Sequence, residues 1–114
     1  MLDTSPLTAV VERFADRLRA APQSRLQQGA AAAALELARE LSVRAQRLEA
    51  PGEAPREVPD EGLFVVGDQV AVTGLDLAEA LRAEALAPDS AKAPSEMLDE
   101  AVRLVERAEV RAMR

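Results

Sequence analysis

The chain has 114 residues, 48% of them hydrophobic, and a formal net charge of −6. It contains no Cys and no His, which excludes disulfides, thiolate catalysis, Zn–Cys sites and histidine acid–base chemistry. Lys92 is the only lysine and Phe14 and Phe64 the only aromatic residues, so the balance disfavours nucleic acid, which calls for clustered cations or stacking platforms.

Met1–Thr4 reads as a short arm, Ser5 as an N-cap and Pro6 as the first helical residue. Leu7, Val10, Val11, Phe14, Leu18 and Ala21 recur at helical spacing before Pro22, which predicts a helix over 6–21. Ser24 and Gln27 form a capping-box pattern for a second helix over 25–48. Its stripe is Leu26, Ala30, Ala33, Leu37, Leu41, Ala45 and Leu48. The small residues Ala30–Ala34 supply helix propensity, and they also suit close approach of another helix or subunit.

Glu49–Glu61 holds three prolines and five acidic residues, which rules out a regular helix or an interior strand. It is expected to be an extended, mobile connector. Next comes the densest β-branched run of the chain, GLFVVGDQVAVT. Gly67-Asp68 between two such runs is the pattern of a type II′ turn and predicts a β-hairpin over 63–72. Strand alternation would put Leu63, Val65, Val70 and Val72 on one face, and Phe64, Val66, Gln69 and Ala71 on the other. Both faces are nearly all apolar, so both need a cover.

Thr73 or Asp76 then caps a third helix over 75–86, with Leu77, Ala78, Leu81 and Ala85 on its apolar side. After a loop, Ala87–Pro94, Ser95 caps a fourth helix over 96–112. Leu98, Ala101, Val102, Val105, Ala108 and Ala112 line it. No internal repeat stands out. The fold expected is mainly α: one domain of four helices with one hairpin between the second and third.

Two chemistries are testable against this frame. Glu36 and Glu40 lie one turn apart on the second helix, and Glu96 and Asp99 do so on the fourth. Paired acids on packed helices can hold Mg²⁺ or Mn²⁺. The spacing resembles all-α nucleotide pyrophosphohydrolases, which implies a metal-dependent phosphohydrolase, although ExxxE stands here in place of that family's denser acidic motif. Helix–helix–hairpin–helix order also invites comparison with winged-helix DNA binders, whose wing would carry Arg or Lys where Gly67-Asp68 stands. Arg103, Arg107, Arg111 and Arg114 form a periodic row, but acids at helical spacing are placed to pair with it.

The leading expectation is a non-catalytic, homodimeric interaction or regulatory module without a cofactor, with a further protein partner as an option. Its contact residues would be Phe64, Val66 and Ala71 together with Ala30, Ala31 and Ala34. No run reaches the roughly 20 apolar residues of a membrane span. MLDTSP lacks the basic and apolar segments of a signal peptide, so a cytoplasmic location is expected. The Arg bias suits a GC-rich bacterial genome.

Overall fold

A computed structural model describes residues 1–87 and 93–114. Four long helices carry the fold: α1 (Ser5–Ala20), α3 (Ala31–Glu49), α4 (Val66–Ala85) and α5 (Pro94–Ala112). A short turn, α2 (Gln23–Arg25), and a wider π-type turn (Leu26–Ala30) lead into α3. Residues 88–92 of the expected loop before α5 lie outside the described residues.

The expected β-hairpin over 63–72 is not there. Among the described residues there is no strand, and the run that suggested one is the first half of α4. The reason is packing. At helical spacing, Val66, Val70, Leu77 and Leu81 form one stripe, and all four are buried. Each contributes roughly 1.5–3 kcal/mol by burial. Val66, Val70, Val72 and Thr73 disfavour a helix by only about 0.5 kcal/mol each, and each glycine by about 1 kcal/mol. The buried stripe therefore outweighs local strand preference.

Gly67 and Gly74 serve the helix rather than a turn. Both are buried against α1. A Cβ on Gly74 would lie 2.5 Å from one methyl of Val11 and 2.7 Å from the other. On Gly67 it would lie 3.1 Å from the Ala15 carbonyl oxygen. The two glycines, one heptad apart, let α1 and α4 approach closely. Thr73 is likewise no cap: it sits inside α4, and its hydroxyl donates back to the Gln69 carbonyl at 2.7 Å.

Cap positions shift elsewhere too. Thr4, not Ser5, stands at the N-cap of α1, and Asp3 Oδ1 accepts from the Ser5 N–H at 3.0 Å. Pro22, not Ser24, precedes α2, and Ala93, not Ser95, precedes α5. The second helix expected over 25–48 is kinked at Gly29, whose φ of 129° lies outside the helical region. Only glycine adopts such an angle cheaply.

Side-chain contacts fix the directions of the bundle. Arg19, late in α1, donates to Asp68 in the first turn of α4, and Arg82, late in α4, donates to Thr4 just before α1. These two helices are antiparallel. Arg111 of α5 meets Glu36 of α3, and Arg44 of α3 meets Glu100 of α5, so that pair is antiparallel as well. By contrast α3 and α4, the most extensively packed pair, run the same way: Leu48 lies by Leu77 and Leu81 at one end, and Leu26 by Leu63 and Val66 at the other.

Parallel neighbours require the chain to return along the full length of α3, about 28 Å for its 19 residues. Residues 50–65 make that journey. The prolines keep the segment extended, and it is fastened rather than loose. Gln46 exchanges two hydrogen bonds of 2.8 Å with the Arg56 backbone. Arg39 donates to the Val58 carbonyl at 2.8 Å and pairs with Glu57, and Gln69 donates to the Pro59 carbonyl at 2.9 Å. Asp60 accepts from the Gly62 N–H, and Gly62, at φ 101°, turns the strap into α4. Replacing Arg39 by Ala should raise amide exchange across 56–62 while leaving the four helices protected, as measured by hydrogen–deuterium exchange.

Candidate functional site

The six residues expected at an interface fall in different places. Ala30, Ala31, Ala34 and Val66 are buried within the chain's own core, and Ala71 is half-buried. Phe64 alone is open, 74% exposed, while the other aromatic, Phe14, is fully buried. The two-faced partition fails with the hairpin, because it depends on strand alternation. Val70 is buried but Val72, expected beside it, is 58% exposed.

Reading the segment as a helix reveals an apolar surface that sequence reasoning missed. Val72 and Leu75 (45% exposed) on α4 and Leu86 (83% exposed) at its C-cap are exposed, as is Phe64 two residues before α4. The signal was present as a spacing. Phe64, Leu75 and Leu86 stand at intervals of eleven residues, close to three turns of a helix, with Phe64 two residues before α4 and Leu86 at its C-cap. Their neighbours repeat as well: Val66 and Leu77 are buried, Gly67 and Ala78 are small and buried, Asp68 and Glu79 are acidic and exposed, and Val70 and Leu81 are buried. This repeat is invisible when the first half is taken for strands. Asp68, Asp76 and Glu79 border the apolar line, with Arg82 towards its end.

The carboxylates proposed for a metal are dispersed. Glu36 pairs with Arg111 at 3.5 Å and Glu40 with Arg44 at 2.9 Å. Glu36, beside Arg111, lies near the far end of α5 from Glu96 and Asp99, while Glu40 also lines a cleft with Arg44, Met97 and Glu100. Among the described residues no three acidic groups come together to hold a metal ion. The wing required of a winged helix is α4 itself. Arg111 of the basic row is paired with Glu36, and Arg25 donates to the backbone carbonyl of Arg114.

A groove of about 650 Å³ lies between α3, the strap and the start of α4. Leu26, Leu35, Val43 and Leu63 give it apolar walls, and Glu36, Arg39, Glu40 and Asp60 surround them with charges of both signs. Arg39 is already engaged by the strap. The chain's own connector thus forms one wall of the groove.

One buried charge stands out on the opposite side. Glu109 of α5, only 5% exposed, takes a bidentate hydrogen bond from Arg13 (2.7 and 3.1 Å) and one from Arg17 at 3.1 Å, both on α1. Burial pushes its carboxyl pKa up, but the two guanidiniums more than offset this and hold it below 4.5. A depressed carboxyl stabilises the fold above its unfolded pKa and loses that contribution as pH falls through the lower folded value. Glu109→Gln should therefore cost about 1–2 kcal/mol near neutral pH, discounted because both arginines are half-exposed. The deficit should shrink in acid, which urea titrations at pH 7 and pH 3 would show.

Comparison of the chain with known protein families, curated proteins and solved structures finds no match. Among the described residues, no helix is long and apolar enough to cross a membrane.

Proposed function

We propose that the protein is a non-catalytic interaction module that works as a homodimer, with the outer face of α4 as its contact surface. One observation carries this reading. A domain with only two aromatic residues leaves one of them, Phe64, on the surface two residues before α4, and α4 with its C-cap exposes Val72, Leu75 and Leu86 as well. Exposed apolar groups collected along one helix mark interaction surfaces more often than scattered ones do.

Magnitudes set the expected strength. Covering Phe64, Val72 and Leu75 contributes up to roughly 1.5–3 kcal/mol each, and two-fold symmetry counts each contact twice. Association costs about 4–15 kcal/mol in lost freedom and side-chain ordering. The midpoints of these ranges differ by about 4 kcal/mol, which points to weak association with dissociation near the millimolar range. Light scattering against concentration tests the reading: Phe64→Lys should weaken association at least tenfold with little change in helix content by circular dichroism. If Phe64→Lys associates as the native chain does, this face is not the contact surface.

A further inference from the structure

The exposed line on α4 is self-complementary when reversed. We infer that two copies pair through α4 in antiparallel orientation, with the two-fold axis at Leu75; this rests on the homodimer reading above and specifies its geometry. Leu75 stands midway between Phe64 and Leu86, eleven residues from each. A two-fold axis through it brings Leu75 onto the partner's Leu75 and Phe64 onto the partner's Leu86. The most apolar exposed side chains of the segment thus meet one another at the centre and at both ends.

The charges choose the same direction. Seven residues before Leu75 stands Asp68, and seven after it Arg82. The antiparallel pairing sets Asp68 opposite the partner's Arg82, twice. A parallel pairing would instead set Asp68 on Asp68 and Glu79 on Glu79, like charges at the same level, which is unfavourable. In the antiparallel register Glu79 falls opposite Ala71, and only Asp76 comes near its own copy, at the flank of the seam. The existing bonds leave room for this contact. Both Arg19 bonds to Asp68 end on Oδ1, and Arg82 reaches Thr4 through Nη1. An isologous interface needs this reciprocity, in which residue i meets j and j meets i. An eleven-residue period also keeps the same residues on one side of a nearly straight helix over its full length. A single helix pair covers less than the ~1,200 Å² of a standard interface, in keeping with a weak, reversible dimer.

Because the chain has no cysteine, single-cysteine variants read the orientation directly. Leu75→Cys, Phe64→Cys and Leu86→Cys all replace exposed side chains. Each would be treated with a short bis-maleimide at a concentration where the native chain associates. Leu75→Cys should cross-link to itself. Phe64→Cys alone and Leu86→Cys alone should not, since like positions would sit about 33 Å apart at ~1.5 Å per residue. An equimolar mixture of those two variants should cross-link. Self-cross-linking of Phe64→Cys and Leu86→Cys would mean parallel pairing and would overturn the inference. A dimer by mass that cross-links at none of the three positions would overturn it while leaving the homodimer reading in place. A monomer at every concentration would remove both.

Discussion

Replacing Gly74 by Ala should destabilise the bundle, although alanine is the better helix former. The exchange gains about 1 kcal/mol of helix propensity. Against that, the new Cβ would sit 2.5 Å and 2.7 Å from the two methyls of Val11 and 3.1 Å from its Cβ. Val11 is fully buried and branched at Cβ, so rotation cannot clear both methyls. Overpacking of this kind costs about 1–3 kcal/mol, and sometimes more. The partner substitution identifies the cause. Val11→Ala alone should also be destabilising, by leaving a cavity. Combined with Gly74→Ala it should cost less than the two single effects added together, because the methyls that clash are gone. Chemical denaturation of the four proteins gives the coupling. Strict additivity would mean that α1 and α4 do not meet at this crossing.

Val70→Lys and Val72→Lys should behave oppositely. Val70 is fully buried in α4, and a lysine there strands a charge in the core. The cost, several kcal/mol, is comparable with the whole stability of a small domain, so loss of the helical signal is expected. Val72, two residues on, is largely exposed, and lysine there should change stability by no more than about 0.5 kcal/mol. The pair is a phase test. In a strand, positions two apart share a face and both variants would fail together. In a helix they lie about 200° apart. Far-UV circular dichroism and thermal melts distinguish the two outcomes.

The same residues show how much of the fold could be read from the sequence. The apolar spacing of α1 and α5 carried their positions to within a residue or two, because each has a polar face that makes its period plain. The first half of α4 lacked that contrast. Its outward face holds Val72 and Leu75, so the polar side that would have betrayed the period is partly apolar. Two glycines required by a close crossing then looked like turn residues, since what they accommodate is a side chain on α1, far away in the sequence. The strap shows a related limit. Its prolines and acids correctly excluded regular structure, but not the hydrogen bonds that Arg39, Gln46 and Gln69 make to its backbone. Those follow from α3 and α4 running parallel, a topological fact that composition does not carry. The candidate contact surface was legible only at Phe64. Leu75 and Leu86 join it once the eleven-residue spacing is given a helix to lie on.

The central claim is that this outward face is a contact surface between copies, and sedimentation equilibrium of the native chain tests it most directly. Across about 0.1 mM to 10 mM, a range centred on the affinity expected from burial and association costs, the mass should rise with concentration from the 12.2 kDa of one chain towards twice that value. A mass fixed at 12.2 kDa throughout would contradict the account and leave the exposed line on α4 without a second copy to cover it.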